Sequence, residues 1–406
     1  MMKKSLVALA AVAAVSAYAQ TTVTLSGRAS MDVSTWGASG SLRPAEDFST
    51  RTRVADTSSR ITFSVMEDLG GGMRAGVYCE TGFSIDTATA NGQANTANAA
   101  TSEWCSREGR LFIGNDTVEL RLGRQNVWWT QGQFNDNGSN HLGSDVTSNV
   151  FNGGMAPMVT SRGENMIMLH GGRDLGAFNG SQAYMGYQTA YESTLANINP
   201  GTANTTSGGT YQGFKLNFDQ GGLFLAAIDY QNSTNSGATT ATPISSFDRT
   251  ATRFSLGLRY AAGSMASFQY WNKERTDKSV ASNALVLPSI STSNTSTINT
   301  GSGKDSGYVL SLKHVVTPQV TAFANYTVAN NMFGPTGAEV SDSGATAYTL
   351  GGTYRLSKRS HIYGAIHQIR NGIGAAYGMS GGNYQSGTNG AGSTVNMTAL
   401  GLQHNF

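Results

Sequence analysis

Residues 253–260 read RFSLGLRY, and residues 261–263 read AAG. Phe254, Leu256, Leu258 and Tyr260 alternate with Arg253, Ser255, Gly257 and Arg259. A period of two over this length means an extended chain with one apolar and one polar face. The Gly-containing triplet turns that chain back into a second strand at 264–273. Both arginines fall on the polar face. Two classes of protein offer such sheets: an exported all-β protein, and a β-barrel of an outer membrane, in which only alternate residues face lipid.

The same alternation recurs along the chain. TVTLSGRASMDV (22–33), RITFSVM (60–66), GYVLSLKH (307–314) and AYTLGGTYRL (347–356) all show it, and no comparable 3.6-residue period runs through the sequence. The strand segments fall at 22–35, 58–68, 73–84, 104–114, 117–125, 162–171, 181–190, 210–219, 223–231, 251–260, 264–273, 306–316, 319–329, 345–356, 359–370 and 394–406. That is about sixteen, an even number as expected of a bacterial transmembrane barrel.

The connections separate the two classes. Short ones are GGG (70–72), ND (115–116), QGG (220–222), AAG (261–263), TP (317–318) and SK (357–358). Long ones, rich in Ser, Thr, Asn and Gly, are 36–57, 85–103, 126–161, 191–209, 232–250, 274–305, 330–344 and 371–393. In a meander, alternating short and long links puts all the tight turns at one end, as in outer-membrane barrels. A soluble sandwich has no reason to sort its loops so. Six of the seven prolines fall in long links and Pro318 falls in a short one; a closed barrel has no edge strand to tolerate proline.

Composition is compatible. Residues 1–19 combine Lys3 and Lys4, the apolar run SLVALAAVAAVSA and the small-residue site Ala17-Tyr18-Ala19, which predicts a secretory signal cleaved after Ala19. Residues 20–406 then form a single domain. Without Lys3 and Lys4 the chain holds 25 basic and 25 acidic residues, so no basic excess points to nucleic acid. No later stretch reaches eighteen consecutive apolar residues, so no transmembrane helix is expected. Cys79 and Cys105 allow at most one disulfide, which would suit an oxidising compartment. No third Cys or His stands at ligand spacing, so neither metal nor cofactor is expected. The sequence closes on ALGLQHNF (399–406). Phe406 is expected to end the last strand where it pairs with the first, because unpaired backbone in lipid costs several kcal/mol per group.

Four stretches carry a family resemblance: SSRITFSVMEDLGGGMRAGVYCE (58–80), VELRLGRQN (118–126), YRLSKRSHIYG (354–364) and GLQHNF (401–406). They resemble the general diffusion porins of Gram-negative bacteria, in particular the β-proteobacterial branch, over the whole mature chain. The resemblance implies a sixteen-stranded antiparallel transmembrane β-barrel in the outer membrane, with short periplasmic turns and long external loops. It further implies a homotrimer, a third external loop folded inward, and a terminal Phe406 read by the insertion machinery. The partners it implies are outer-membrane lipid and lipopolysaccharide, and small hydrophilic solutes and ions.

Pore-lining charge sets ion preference. Asp136 and Asp145 are the only charges of the third long link and are candidates for the acidic side of a constriction. Arg60, Arg107 and Arg162 match, by local motif, the arginines lining the constriction in anion-preferring members of the family. Arg28, Arg74, Arg121, Arg253 and Arg259 share polar parity and extend a candidate ladder along the lumen. The plainer reading is that lumen charges form neutralised pairs, Arg28 with Asp32 or Arg121 with Glu119. Two departures stand out. Arg107 and Arg110 fall on opposite faces of their strand, and Arg124 has the parity of Leu120 and Leu122; each requires a bulge or strand end.

Enzymatic readings are weaker. Ser139 and His141 are close in sequence but lack a strand frame to fix triad geometry. His170, His314, His361 and His367 are scattered without clustered carboxylates. GGGMRAG has no following Lys-Ser/Thr, and DNGSN lacks the closing Glu of a calcium loop. The expected function is passive, anion-preferring diffusion through a water-filled channel. The alternatives are a substrate-specific channel, suggested by Met166, Met168 and Trp271 at luminal parity, and a non-channel barrel acting as adhesin or hydrolase.

Overall fold

The computed structural model describes residues 21–57, 59–85, 104–126, 134, 162–187, 208–236, 247–277, 303–334, 336–378 and 390–406. The signal segment lies outside them. Among the described residues seventeen strands form one sheet: β1 (Thr21–Ser39), β2 (Phe48–Asp56), β3 (Arg60–Gly70), β4 (Met73–Gly82), β5 (Glu108–Gly114), β6 (Val118–Asn126), β7 (Arg162–Gly171), β8 (Gln182–Tyr187), β9 (Gly208–Asp219), β10 (Phe224–Ser236), β11 (Phe247–Ala261), β12 (Ser264–Asp277), β13 (Gly303–Val315), β14 (Val320–Ala329), β15 (Ala345–Arg355), β16 (Ser360–Asn371) and β17 (Thr394–Asn405). All strand pairings are antiparallel; they join chain neighbours except that β3 pairs with β1, and β17 returns to pair with β1.

The extra strand is a division of one stave. β3 pairs with the first half of β1, from Thr21 opposite Glu67 to Arg28 opposite Arg60. β2 pairs with the second half, from Met31 opposite Asp56 to Ala38 opposite Phe48. Counted together they leave sixteen staves in a closed ring. Residues 36–57 are therefore mostly strand rather than a long loop, with only 40–47 connecting β1 to β2 around a 3-10 turn at Pro44–Glu46.

Closure extends to the last residue. Gly27 N–H donates to the Phe406 carbonyl at 2.9 Å, and Phe406 N–H donates back to the Gly27 carbonyl at 3.0 Å. The Phe406 ring lies over Gly27, where any Cβ would meet both the ring and the Arg60 carbonyl oxygen. Gly27→Val is expected to destabilise the barrel by about 3 kcal/mol through overpacking at this seam. Urea unfolding followed by heat-modifiable gel migration checks it; an unchanged midpoint would mean the ring moves aside freely.

The outer face carries the predicted apolar residues in register. Ala226, Leu256, Phe268 and Leu310 form one row across β10–β13. The row continues from Leu310 into Tyr326 and Tyr348, and beside it Phe254, Tyr270 and Tyr308 are successive partners. Aromatic rings at this height mark a membrane–water boundary. The belt stops at β15: the partner of Tyr348 on β16 is Gln368. Asn396 and Gly37 follow on β17 and β1. No described helix is long and apolar enough to cross a membrane; strands make the crossing.

Beyond the belt the apolar side changes. On β1, Val33 faces outward, whereas Trp36 and Ala38 are buried inside. On β16, Ile362 and Ile366 face outward, whereas Ile369 is buried inside next to outward Gln368 and Arg370. The inversion follows the surroundings. Outside, lipid gives way to polar medium; inside, the loops after β14 and β16 fold over the wall. Met332 of one loop and Ala375 and Tyr377 of the other join Trp36, Trp271, Ile369 and Val395 in a single apolar cluster. The two loops hold each other through Gly372 N–H to Gly344 O at 2.9 Å and Gly374 N–H to Asp342 O at 2.9 Å. Burial, with the Asp305 carboxylate nearby, pushes the Tyr377 phenol above its ordinary range.

Candidate functional site

The inner wall of β1, β3 and β4 gathers charge. Arg28 stands directly opposite Arg60 in the β1–β3 register. Glu80, on β4, accepts both Arg60, with Nε 3.3 Å from Oε2, and Arg107, with Nε 2.7 Å from Oε1. Arg28 lies within electrostatic reach of Arg60, Arg107 and Glu80. Two guanidinium groups thus meet at one carboxylate with a third on the adjoining stave, a formal charge of +2 among these four residues. Guanidinium keeps its charge at any working pH and spreads it over a rigid plane.

A paired strip continues toward the periplasmic end. Arg110 donates to Glu108 at 2.5 Å, with its Cζ 3.9 Å from the centre of the Tyr78 ring. Arg121 donates to Glu119 at 2.6 Å. Arg74 reaches Glu119 at 3.6 Å and Asp116 at 2.6 Å, and the Asp116 carboxyl, in the turn, is held below its usual range by that hydrogen bond. Here three arginines meet three carboxylates. This strip is balanced, unlike the four residues at Glu80.

The structure brings together Arg60 and Arg107 from the predicted constriction set and adds Arg28 to them. Arg162 begins β7, with its backbone opposite Asn126. Asp136 and Asp145 lie outside the described residues, as do Ser139 and His141. The ladder divides. Arg74 and Arg121 meet at Glu119, but Arg253 and Arg259 are on β11, well round the ring. Arg253 is buried, 3.6 Å from Asp229 and 3.4 Å from Gln269 Oε1. Arg259 makes two hydrogen bonds to Asp219, at 2.7 and 2.8 Å, at the periplasmic end. The Arg121–Glu119 pair is the neutralised arrangement the plainer reading anticipates.

Both parity departures have local causes. Arg107 precedes β5, after a bend at Cys105 where φ is +60°, so strand alternation does not fix its direction. A register shift between Gly123 and Gln125, with φ of +124° at Gly123, relieves the conflict at Arg124. The Cys79–Cys105 disulfide is formed. Met166 and Met168 do face inward, packed with Tyr184 and Tyr211, and Trp271 donates to Asp305 at 3.2 Å. Among the four scattered histidines, His314 pairs with Tyr260 and His367 with Thr349.

Several residues escaped sequence reading. Glu80, the shared acceptor, sits at ordinary polar parity beside Cys79. Phe134 sits within the third long link yet is buried against Leu225, Ala227, Gly257 and Met265, and its carbonyl accepts the Ser267 hydroxyl. These partners lie on β10–β12, and β10 is half the ring of sixteen staves from β1. Lys273 and Asp305 are 3.6 Å apart and opposite one another; Lys273 ends the expected strand 264–273, whereas Asp305 falls where 274–305 reads as loop, and β12 and β13 both extend into that link.

Comparison with known proteins fits this architecture. No curated protein sequence matches the chain. The chain resembles the anion-selective porin from Comamonas acidovorans, with TM-score 0.64 at 18% identity over 95% of this chain and 100% of that one. It also resembles the trimer form of OmpT, an outer membrane protein of Vibrio cholerae, with TM-score 0.59 at 10% identity over 95% and 99% of the two chains. For OmpF of Salmonella typhi, in complex with daunomycin, the values are 0.52 and 13% over 95% and 97%. At such identities the likeness is one of fold. A family model described as Gram-negative porin matches residues 5–374. Because that match spans nearly the whole sequence, the chain belongs to the Gram-negative porin family, whose barrels form diffusion channels in the outer membrane.

Proposed function

We propose that this outer-membrane diffusion channel prefers anions, and that the Arg28–Arg60–Arg107 cluster around Glu80 sets the preference. The cluster carries the reading: its arginines outnumber its carboxylates on the inner wall, whereas the strip below it is balanced. A fixed positive patch in a confined passage raises the local concentration of anions and lowers that of cations. Phe134 of the third long link rests on β10–β12, across the ring from the arginines; Asp136 and Asp145, the expected acidic side of the constriction, lie outside the described residues. Arg162 belongs to the same set. The solutes are small and hydrophilic, and no catalytic step is assigned to any residue.

The assembly is a homotrimer. The outward aromatic belt of β10–β15 ends at Gln368 and is replaced on β16, β17 and β1 by Gln368, Asn396 and Gly37. A face without a belt suits protein contact rather than lipid, whereas the belted face meets lipid and lipopolysaccharide. The leader before Gln20 is removed on export.

The test is a reversal potential in a planar bilayer across a salt gradient, using refolded trimers of the mature chain. An anion-side potential is expected. A cation-side potential would mean that the arginine cluster does not set the preference, and absence of conductance would remove the channel reading.

A further inference from the structure

Cys79 faces away from the lumen. On β4 it shares the parity of outward Val77, while its neighbours Tyr78 and Glu80 point inward to Arg110 and Arg107. Its cross-strand partner on β5 is Gly109. Cys105 folds back over that glycine: a Cβ added at Gly109 would lie 2.8 Å from the Cys105 Cβ. The disulfide then ties Cys105 to Cys79 on the outer side of the sheet. Thr81 Oγ1 accepts the Cys105 N–H at 2.9 Å on the same side.

Two residues later the chain is inside. Arg107 N–H donates to the Glu80 carbonyl at 3.0 Å, and the Arg107 guanidinium donates to the Glu80 carboxylate at 2.7 Å. Were β5 extended by one residue, alternation from inward Glu108 would turn Arg107 outward. The chain avoids this by crossing from the outer to the inner side between Cys105 and Arg107, with the left-handed bend at Cys105 starting the crossing. The bond fixes where that crossing begins. It leaves Arg107 only a two-residue tether from a covalent anchor.

We infer that the Cys79–Cys105 disulfide is a positioning device for ion selectivity, holding Arg107 in the lumen from the opposite side of the barrel wall. This rests on the anion preference proposed for the channel and adds to it a pair of residues that never meet the permeating ion. Without the bond, Arg107 keeps one hydrogen-bonded backbone contact and one ion pair, on a segment that ends a long external loop. Its charge then spends time away from Glu80, and the patch weakens without losing a residue.

The experiment compares four refolded trimers of the mature chain by reversal potential in potassium chloride: wild type, Arg107→Gln, Cys79→Ser with Cys105→Ser, and all three substitutions together. Arg107→Gln is expected to lower the chloride-to-potassium permeability ratio about twofold, as loss of one unit charge near the path requires. The serine pair is expected to give at least half of that shift, with no further shift when added to Arg107→Gln. A barrel merely loosened by losing its disulfide would add its effect to that of Arg107→Gln instead. If wild type prefers anions and Arg107→Gln weakens that preference, but the serine pair keeps the wild-type ratio, the inference fails and the anion reading stands. If wild type shows no anion preference, the reading and the inference fail together. Gly109→Ala gives a second route should the serine pair not refold: its Cβ pushes the Cys105 bend off the sheet while both sulfurs remain. It is expected to lower the ratio in the same direction, and an unchanged ratio from folded Gly109→Ala trimers would overturn the positioning role.

Discussion

Replacing Arg60 and Arg107 together by glutamate is expected to reverse the sign of the ion preference. The cluster changes from three guanidinium groups and one carboxylate to one guanidinium and three carboxylates, from +2 to −2 in formal charge. A unit charge about 5 Å from an ion in water contributes roughly 0.8 kcal/mol, and mobile salt reduces this. Four units of change leave an expected fall of about tenfold or more in the chloride-to-potassium permeability ratio after screening. The reversal potential should therefore cross zero. Arg60→Gln with Arg107→Gln should stop about midway. Both effects should shrink as salt rises from 0.1 M to 1 M, because the screening length falls from about 10 Å to about 3 Å. Folded double-glutamate trimers that keep the wild-type potential would show that ions pass elsewhere.

The second large effect concerns stability. Lys273 and Asp305 are opposed on β12 and β13, with side chains 1% and 7% exposed. The Trp271 indole adds a hydrogen bond to the same carboxylate at 3.2 Å, lying across Gly307, where a Cβ would strike its ring. Lys273→Met keeps the side-chain volume but strands a buried carboxylate. Breaking a buried pair from one side costs about 3–5 kcal/mol. Lys273→Met with Asp305→Asn should recover most of that loss, because the amide is uncharged and its oxygen still accepts from Trp271. Urea unfolding of the refolded barrels compares the two. A single variant as stable as wild type would mean that water reaches Asp305 under the folded loops.

The staves were legible from residues because lipid imposes a local rule. Each outward position at bilayer depth must be apolar and its neighbour points inward, so Phe254, Leu256 and Leu258 announce both strand and face. Loop sorting was legible for a related reason, since a closed meander returns every second link to the same end. Reading failed where the medium changes. Trp36, Ile369 and Val395 are apolar but inward, because above the belt the folded loops are the apolar side. The first connection consequently read as a loop although β1 and β2 continue through it. The charged site was half legible. Parity gave Arg28 and Arg60 their face. It could not place Arg107, which lies outside the strand, or give Glu80 its role as the shared acceptor.

The sequence by itself determined that this chain is a closed meander with lipid outside and charge inside, because period two and loop length are properties of neighbours along the chain. Tertiary structure alone decided which charges meet. Glu80 joins Arg60 from the adjacent stave and Arg107 from beyond a disulfide-bonded bend. Lys273 meets Asp305 beneath loops that begin many residues later. Such encounters depend on strand register and on the paths of the loops. A shift of one residue would turn every side chain of a stave to the other face, and no local pattern records which carboxylate then stands opposite which arginine.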